Sequence, residues 1–587
     1  MSHYFRCFVL LLLLSVCGPL VADAADRPPN VIVIVSDDQG WGDFSRNGNK
    51  NLSTPNLDRL AKSGASCEHF FVQPVCSPTR AELLTGRYAF RSNVFSTSAG
   101  GERMKLGVPT IADALSQAGY RTAAFGKWHS GAQFPYHPCG RGFDSFYGFA
   151  SGHWGNYFDP VLERDGRLIQ GDGFLPDDLT DHTMKFVAAD PTRPFFAYLA
   201  FNTPHSPMQV PDRFYEKFKN APIAQRGTDA DREDLQHTRA ALAMCENIDF
   251  NVGRLLAQLD QLEIANDTIV IYFSDNGPNG HRFNGGMRGI KGSTDEGGVR
   301  SPLFVRWPNQ IKPDTVVSPI AGAVDLLPTL IEMTGATFEP TLPLDGKSIF
   351  QLMKTQDAEV DDRILLNHWN GRVSVRSNQF RLDNNGKLFN MQQDPGQLTP
   401  VNDAPMKGKL AEAAANWKQE ISAAFNDSKR PFTVGYVDFP VTHLPADDAT
   451  GRGNIQRSNK YPNCSYFTHW RSVDDGLTWP IEVDTAGRFQ ATIYYTCRSG
   501  DVGCRLKLSN GENELAFTIK EANDPPPRGA EQDRVVRQES YVKDFKSLDI
   551  GTIELDDGVS ELKLDASLIP GDAAIDFRLL TLELVKD

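Results

Sequence analysis

The stretch VIVIVSDD, residues 31–38, places five β-branched residues directly before a serine and two aspartates. Three more segments share this pattern of an apolar run that ends in polar side chains: residues 121–125 (RTAAF) before Gly-Lys-Trp-His, residues 195–201 (FFAYLAF) before Asn-Thr-Pro-His, and residues 268–273 (TIVIYF) before Ser-Asp-Asn. Apolar runs without alternation are typical of strands that are buried on both faces. The chain therefore contains four predicted core strands with polar ends.

Helical patterns lie between these strands, for example at residues 110–118 and 240–262. Alternation of strands and helices predicts a doubly wound α/β domain. In such a domain ligands bind beyond the carboxyl ends of the strands. This chain places carboxylates, lysines and histidines there, so the pattern predicts a functional site at that edge of the sheet.

The pattern changes after about residue 340. Residues 372–376 and 380–382 predict short antiparallel strands, and residues 408–425 predict an amphipathic helix. Beyond about residue 431, short alternating strands between Gly, Asp and Pro turns predict a β-sandwich. The predicted units are a signal peptide (1–24), a main α/β domain (28–340), a small α+β lobe that completes it (341–430) and a β-sandwich accessory domain (431–587).

The composition is that of a soluble globular protein, with 40% hydrophobic and 23% charged residues among 587. A formal net charge of −14 argues against nucleic-acid binding, because contacts to phosphates need clustered lysine and arginine. An acidic protein can still hold a small anion in a local cationic pocket.

The N-terminus has the three parts of a secretory signal: Arg6, an apolar run at residues 8–14, and the small-x-small site Ala22-Asp23-Ala24. A lipoprotein box at residues 14–17 is an alternative, but Val16 is bulky for the position before the cysteine. No later apolar run approaches the ~18 residues of a membrane span. The sequence predicts an exported protein that is periplasmic, secreted or otherwise extracytoplasmic, without a transmembrane segment.

Seven cysteines remain after the predicted signal peptide, and an odd number leaves at least one outside intramolecular disulfides. Cys497 and Cys504 are close enough in sequence for a local bridge. Cys76 differs from the others because it opens the sequence Cys-Ser-Pro-Thr-Arg. Its residue type allows a disulfide half (with Cys67 or another thiol), a nucleophile, a metal ligand or a chemically altered side chain.

Oxygen ligands and cations accumulate at the predicted strand ends. Asp37 and Asp38 follow one strand and Asp275-Asn276 follows another, and hard oxygen ligands of this kind suit Ca²⁺ or Mg²⁺ better than zinc. The nearby cationic and imidazole side chains are Arg80, Lys127, His129, His205 and Lys291. A metal ion together with several cations favours chemistry on a tetrahedral oxyanion, either phosphoryl or sulfuryl.

The chain resembles the type I sulfatases of the alkaline phosphatase superfamily over roughly residues 28–430. Cys76-Ser77-Pro78-Thr79-Arg80 matches the Cys-x-Pro-x-Arg signature of that family. The other similar motifs, in the family's order, are Ser36-Asp37-Asp38-Gln39-Gly40, Thr54-Pro55-Asn56-Leu57-Asp58, Gly126-Lys127-Trp128-His129, Thr203-Pro204-His205, Ser274-Asp275-Asn276-Gly277, Lys291-Gly292 and Glu296-Gly297-Gly298. The resemblance implies an alkaline-phosphatase-like mixed sheet and a sulfuric ester hydrolase of arylsulfatase type.

The resemblance also implies that a formylglycine-generating enzyme oxidises Cys76 to Cα-formylglycine. One hydroxyl of the hydrated aldehyde then attacks sulfur and expels the substrate alcohol. Loss of a proton from the other hydroxyl releases sulfate and restores the aldehyde. By the same resemblance Asp37, Asp38, Asp275, Asn276 and modified Cys76 are ligands of a divalent cation, Ca²⁺ or alternatively Mg²⁺.

The family's remaining roles transfer onto matching positions. Arg80 orients the formylglycine, and Lys127 and Lys291 hold sulfate oxygens. His129 takes the proton that triggers sulfate release, while His205, with Lys291, protonates the leaving oxygen and contacts substrate. His137, His153 and His281 have two interpretations, as lining of the substrate pocket or as structural residues.

Export and a possible glycan-facing appendage favour a sulfated carbohydrate, such as a polysaccharide fragment, as the substrate, with aryl sulfates as surrogates. One alternative is a phosphodiesterase or phosphonate monoester hydrolase of the same superfamily. A second alternative, from a different class, is a sulfated-glycan-binding protein that uses Trp470, Trp479, Tyr494 and Tyr495 of the sandwich. Aromatic side chains of a sandwich are more often core than binding platform.

Overall fold

The computed structural model describes residues 27–355, 362–424 and 430–585 of the 587-residue chain. The predicted signal peptide at residues 1–24 lies outside these residues. Within the described ranges, no helix combines the length and the apolar character that crossing a membrane requires.

One mixed sheet of eleven strands forms the centre of the molecule. Its strands are β1 (Asn30–Ser36), β2 (Ala65–Phe71), β3 (Arg121–Lys127), β4 (Ser145–Phe149), β5 (Val161–Arg164), β6 (Arg167–Gln170), β7 (Phe195–Ala200), β8 (Thr268–Ser274), β9 (Arg300–Arg306), β10 (Thr315–Val317) and β11 (Ala321–Gly322). The order is β10-β2-β9-β8-β1-β7-β3-β4-β5-β6, and β11 pairs with β2. The four strands predicted from the sequence, β1, β3, β7 and β8, are adjacent and parallel at its centre.

The helices of the described ranges cover both faces of this sheet, except the last, which packs against a second, smaller sheet. They are α1 (Pro55–Lys62), α2 (Cys76–Thr85), α3 (Ile111–Gln117), α4 (Leu175–Ala188), α5 (Asp212–Tyr215), α6 (Leu235–Gln261), α7 (Glu296–Val299), α8 (Leu326–Thr334), α9 (Phe350–Lys354) and α10 (Ala404–Ala424). Val31, Val33 and Val35 of β1 join the core that contains α2, α3 and α8. Ile32 and Ile34 point into the opposite core, with α1, α4 and α6. An uninterrupted apolar run is required because alternate side chains enter two different cores.

A small antiparallel sheet follows, made of β12 (Leu365–Trp369), β13 (Arg372–Arg376), β14 (Phe380–Leu382) and β15 (Leu388–Asn390). Helix α10 packs against it through Leu410, Trp417 and Ile421. Strands β12 and β15 were not predicted from the sequence, whereas β13, β14 and α10 lie where the pattern placed them.

The C-terminal region is a sandwich of two six-stranded sheets. Its strands are β16 (Phe432–Val434), β17 (Val441–Pro445), β18 (Thr450–Arg452), β19 (Gln456–Arg457), β20 (Phe467–Thr468), β21 (Gly476–Val483), β22 (Gly487–Thr496), β23 (Arg505–Asn510), β24 (Asn513–Thr518), β25 (Lys546–Leu555), β26 (Gly558–Leu568) and β27 (Asp576–Leu584). The mixed α/β sheet and the β-rich C-terminal region confirm the predicted fold class. The boundaries at residues 340 and 430 stay predictions.

The aromatic residues of the sandwich are mostly part of its core. Trp470, Trp479 and Tyr495 are at most 1% exposed and belong to one apolar cluster. The two indole N–H groups donate to the carbonyl oxygens of Asp475 and Pro445. These three side chains therefore form no glycan-binding platform.

In the described part of the chain the seven cysteines are free thiols, Cys497 and Cys504 included. The local bridge considered from the sequence is not formed in this structure.

Candidate active site

The acidic residues that follow β1 and β8 come together at the carboxyl edge of the sheet. The two strands are parallel neighbours in register, so their ends coincide. The Asp275 N–H donates to the Ser36 carbonyl over 3.0 Å, and the Asp38 N–H lies 3.3 Å from Asp275 Oδ1. Asp37, Asp38, Asp275 and Asn276 are at most 1% exposed. Four oxygen-bearing side chains are thus fixed in one buried place.

Two oxygens in this group lack the partners that buried polar atoms require. Asp37 Oδ1 and Asn276 Oδ1 accept no hydrogen bond from any residue that the structure describes. The Sγ of Cys76 and carboxylate oxygens of Asp37 and Asp275 lie within 4.8 Å of one another. Burial, followed by the nearby Asp37 carboxylate, raises the pKa of Asp275 to about 6. Unpartnered oxygens and crowded negative charge fit a hard divalent cation.

Cys76 is the first residue of α2, so its side chain lies at a helix N-terminus. It is only 3% exposed. Burial raises the pKa of the Cys76 thiol despite the nearby Lys127 and Lys291 ammonium groups. The thiol is therefore protonated near neutral pH and is a weak nucleophile as encoded, because the thiolate is the reactive form.

Arg80 and Lys127 link α2 to the strand ends. The Arg80 guanidinium donates two hydrogen bonds to Asp275 Oδ2, at 3.0 and 2.7 Å, and a third to the Lys127 carbonyl at 2.7 Å. The Lys127 ammonium donates to Asp37 Oδ2 over 2.6 Å. All four side chains are at most 1% exposed. Buried charges in this arrangement are paired, which fixes their positions.

His129 adopts a left-handed backbone conformation, with φ of 60°, two residues beyond Lys127. Its Nε2 lies 2.9 Å from the Thr97 carbonyl oxygen. A carbonyl only accepts, so Nε2 carries the proton and Nδ1 is the basic nitrogen of the neutral ring. Nδ1 is buried and has no partner within the described residues. Burial, and then Lys127, lower the pKa of His129 well below its usual value, which keeps the ring neutral and able to accept a proton.

Lys291 and His205 face Asp38 from the other side. The Lys291 ammonium lies 2.7 Å from Asp38 Oδ1, and His205 Nε2 lies 3.8 Å from Asp38 Oδ2. Burial would raise the pKa of Asp38, but Lys291 and His205 outweigh burial and lower it. The Asn276 amide also donates to Asp38, over 2.8 Å. Asp38 is therefore held as a carboxylate.

The same two residues mark the open side of the site. The side chains of Lys291 and His205 are 20% and 12% exposed, whereas those of Asp37, Asp38, Lys127 and Asp275 are at most 1% exposed. A ligand reaches the buried carboxylates from the side of Lys291 and His205.

His153, for which the sequence left two interpretations open, and Asn202, which was not among the predicted site residues, also belong to this region. The His153 ring centre lies 5.5 Å from that of His205, and both its ring nitrogens are buried without a partner among the residues described. Both polar atoms of the Asn202 side chain are likewise buried without a hydrogen-bond partner among the described residues. Each residue follows a parallel strand, β4 or β7, at the carboxyl edge, so the strand-end pattern could have identified both.

The other two histidines with open interpretations each lie beside a carboxylate. His137 Nε2 is 2.7 Å from Glu163 Oε1, and the His137 side chain is fully buried. His281 Nδ1 is 3.5 Å from Asp229 Oδ2. The His137 contact favours a structural role.

Two of the quoted motifs stabilise the frame of the site. The Thr54 hydroxyl accepts a hydrogen bond from the Ser45 N–H at 2.9 Å, just before α1. The fully buried Glu296 carboxylate lies 2.7 Å from Arg376 and 2.9 Å from Arg381. This triad connects α7 to the small antiparallel sheet.

Comparison with known proteins identifies the family. The family model described as Sulfatase matches residues 29–336, and the model described as N-sulphoglucosamine sulphohydrolase, C-terminal, matches residues 291–424. N-acetylgalactosamine-6-sulfatase of Mus musculus is 31% identical over 408 residues, which cover 63% of this chain and 75% of that protein. Arylsulfatase A of Homo sapiens is 33% identical over 382 residues, which cover 58% and 70%.

A solved structure titled "Crystal structure of Ps i-CgsB in complex with k-i-k-neocarrahexaose" is 31% identical, with a TM-score of 0.60 and coverage of 67% of this chain and 93% of that one. Carboxylates, lysines and histidines at one edge of a mixed α/β sheet favour chemistry on a tetrahedral oxyanion. The chain belongs to the sulfatase family and is an enzyme that hydrolyses sulfate esters.

Proposed function

We propose that the protein hydrolyses sulfate monoesters with a Cα-formylglycine derived from Cys76 and a divalent cation held by Asp37, Asp38, Asp275 and Asn276. One observation carries this proposal: a buried thiol with a raised pKa lies at a helix N-terminus against two carboxylates. As a thiol it is a weak nucleophile, and it lies where a ligand of the cation would lie. Calcium fits the oxygen-rich donor set, and magnesium is the alternative.

The modified residue would supply a hydroxyl nucleophile of a hydrated aldehyde, and the cation would polarise that hydroxyl. Lys127 and Lys291, which already pair with Asp37 and Asp38, hold sulfate oxygens from opposite sides. Arg80 pairs with Asp275 and holds its carboxyl group in place beside Cys76.

Proton transfers are assigned to the two histidines. The free Nδ1 of His129 accepts a proton when sulfate is released, because Nε2 is occupied by the Thr97 carbonyl. His205 lies at the open side, and its Nε2 faces the substrate region while Nδ1 donates to the Ser206 carbonyl at 2.7 Å. Since Nδ1 carries the proton of the neutral ring, Nε2 donates to the leaving oxygen from the imidazolium form of His205. Burial lowers the pKa of His205, and the nearby Asp38 carboxylate acts in the opposite direction and favours that form.

Burial also constrains maturation. Cys76 is 3% exposed in the folded chain, so a formylglycine-generating enzyme must reach it before folding is complete. We propose that this happens in connection with export, as the N-terminal signal pattern suggests.

A sulfated carbohydrate is the proposed substrate class. Support comes from the relative named N-acetylgalactosamine-6-sulfatase and from the similar structure solved with a carrahexaose. Measuring sulfate release from a panel of defined sulfated sugars tests this proposal. Activity confined to steroid or simple aryl sulfates would contradict it.

Mass spectrometry of the peptide that contains Cys76 tests the mechanism. The expected result is the mass of formylglycine in active enzyme, with the peptide that contains Cys67 unmodified as the control. Fully active enzyme with an unmodified Cys76 would overturn the proposal. Rates on matched aryl sulfate and aryl phosphodiester substrates complete the test, and faster phosphodiester cleavage would contradict sulfatase chemistry.

A further inference from the structure

Two loops of the C-terminal sandwich reach the active site. The first, residues 458–466, connects β19 and β20, and the second, residues 519–545, connects β24 and β25. The loops are joined to each other, because Asn459 Nδ2 donates to the Gln538 carbonyl over 2.7 Å. They contact the segments of the α/β domain that carry or hold His129, His153 and His205.

The first loop contacts the residue that orients His129. Asn463 Nδ2 donates to the Thr97 carbonyl over 3.1 Å, and the same oxygen accepts from His129 Nε2. A side chain added at Gly152 would lie 2.2 Å from His129 Nε2 and 2.8 Å from Asn463 Nδ2, so the three residues converge. The next residue of the loop, Cys464, donates to the His153 carbonyl over 2.9 Å.

The second loop contacts the residue that orients His205. The Ser206 hydroxyl donates to the Glu539 carboxylate. The Ser206 carbonyl accepts from His205 Nδ1 over 2.7 Å and from the Tyr157 hydroxyl over 2.8 Å. Ser206 is 7% exposed, and its contact with Glu539 is partly buried.

A second anchor fixes the same region. Gln209 accepts a hydrogen bond from the Tyr157 N–H over 2.7 Å and donates to Asp533 of the second loop over 2.9 Å. Asp533 in turn is paired with Arg537, whose guanidinium reaches the Gly155 carbonyl. The second loop therefore contacts this segment at two places, Ser206 through Glu539 and Gln209 through Asp533.

The two histidines are thus oriented in the same way. In each case a backbone carbonyl fixes the protonated ring nitrogen, and a side chain of the sandwich holds the residue that supplies the carbonyl. We propose that Asn463 and Glu539 are positioning residues of the active site, which act on His129 and His205 through Thr97 and Ser206. This inference rests on the roles proposed above for the two histidines. It makes the sandwich a part of the hydrolytic unit rather than an appendage.

Glu539 is tested by the dependence of the rate on the leaving group. Loss of Glu539 frees Ser206 and misaligns His205, so protonation of the leaving oxygen becomes less efficient. We expect Glu539→Ala and Ser206→Ala each to lower kcat/KM about tenfold for esters of weakly acidic alcohols, and less than about twofold for aryl sulfates with strongly acidic leaving groups. The two losses should not add in the double variant, because both remove one contact.

Glu539→Gln keeps a hydrogen-bond acceptor and should retain most of the wild-type rate. The matched control is Glu531→Ala, which removes an exposed carboxylate from the same loop. A uniform loss for all leaving groups, with a lowered unfolding midpoint, would indicate mere structural support and overturn the assignment of Glu539.

Asn463 is expected to give a different kinetic signature. Asn463→Ala should slow proton acceptance by His129, a step common to every substrate. The expected result is a uniform drop of about tenfold in kcat, with a burst of released alcohol in the first turnover. Lys460→Ala is the control, because Lys460 is an exposed residue of the same loop. Identical leaving-group profiles for Asn463→Ala and Glu539→Ala would overturn the assignment of two separate roles.

His205→Asn separates this inference from the proposed function. If His205→Asn shows no dependence on the leaving group, the role proposed for His205 is wrong. If it shows that dependence and both Glu539→Ala and Ser206→Ala behave like Glu531→Ala, the proposed function stands and the positioning role of the sandwich is wrong.

Discussion

The carboxyl edge of the large sheet and the interior of the sandwich differ in whether their buried polar atoms have hydrogen-bond partners. At the sheet edge, Asp37 Oδ1, Asn276 Oδ1 and His129 Nδ1 are buried without hydrogen-bond partners among the described residues. In the sandwich, the fully buried Trp470 and Trp479 each donate to a backbone carbonyl. Across the described residues from 430 to 585, no buried side-chain nitrogen or oxygen lacks a partner.

The difference in hydrogen bonding reflects two roles: residues at the sheet edge serve chemistry, and residues inside the sandwich serve folding. An unmatched buried polar atom costs about 1–3 kcal/mol, so a folded chain retains it where a ligand or reaction supplies the missing partner. The sandwich shows that the same chain satisfies its buried groups where no ligand is needed. Unpartnered atoms also occur away from the sheet edge, for example in Arg376 and Arg381. The reactive region is therefore identified by such atoms together with the cluster of carboxylates and cations around them.

The largest expected effect is at the sheet edge. Cys76→Ala removes the proposed nucleophile and should lower kcat/KM for sulfate esters by at least about 10⁴-fold, equivalent to about 5.5 kcal/mol of barrier. Thermal unfolding should change little, because a small side chain is replaced by a smaller one. Cys67→Ala is the matched control, since Cys67 is also buried but lies in β2, away from the strand ends. Substantial sulfatase activity in Cys76→Ala would mean that the edge is not organised around this residue.

The sandwich core should respond to substitution in stability rather than in chemistry. Trp479 is fully buried and packs edge-on against Phe577 at a ring distance of 5.6 Å. Trp479→Ala should reduce the free energy of unfolding by about 3–5 kcal/mol, because it leaves a cavity and an unpaired carbonyl. Denaturant unfolding followed by fluorescence measures this loss. An unchanged unfolding midpoint would show that the sandwich interior is less tightly packed than the structure indicates.

Much of this architecture could be predicted from the sequence, because local pattern determines it. The run at residues 31–35 predicted β1, and β3, β7 and β8 begin at the predicted residues. Their polar ends predicted one site because parallel strands end at one edge. The structure brings Asp37, Asp38, Cys76, Arg80 and the other predicted residues into that place, while their catalytic roles stay proposals.

The contacts of the sandwich with the active site could not be predicted in this way. Glu539 lies 333 residues from its partner Ser206, and Asn463 lies 366 residues from Thr97. Neither loop carries a motif, and both contacts depend on how two domains pack. β12 was missed for a related reason. Leu365–Trp369 shows little alternation of apolar and polar residues, and it is a strand because it pairs with β13.

Cation binding should stabilise the sheet edge by a smaller amount. Ca²⁺ at about 100 times its Kd should raise the free energy of unfolding by about 2.7 kcal/mol. Burial and Asp37 raise the pKa of Asp275 to about 6, above its unfolded value, so the metal-free fold loses stability as the pH rises through that value. Stabilisation by Ca²⁺ should therefore be greater at pH 7.5 than at pH 5, where protons compete with the cation.

Asp37→Asn is the control for that measurement, because it keeps an oxygen for Lys127 and removes one anionic ligand. Calorimetric unfolding of chelated and Ca²⁺-loaded protein at both pH values gives the comparison. Equal stabilisation of the wild type and Asp37→Asn would place the cation elsewhere in the molecule.

The smallest expected effect concerns Tyr494, the half-buried member of the four sandwich aromatics named from the sequence. It lines a cavity of about 380 Å³ between the sandwich and the α/β domain, beside Trp154 and Arg528. Tyr494→Ala should cost about 1 kcal/mol of stability and leave retention on immobilised sulfated polysaccharide unchanged, since Tyr494 is half-buried and lines a cavity shared with the α/β domain. Measured in the Cys76→Ala background, retention is independent of turnover. Loss of retention in Tyr494→Ala would make the sandwich a glycan-binding surface and would weaken the contrast between a reactive sheet edge and a structural sandwich interior.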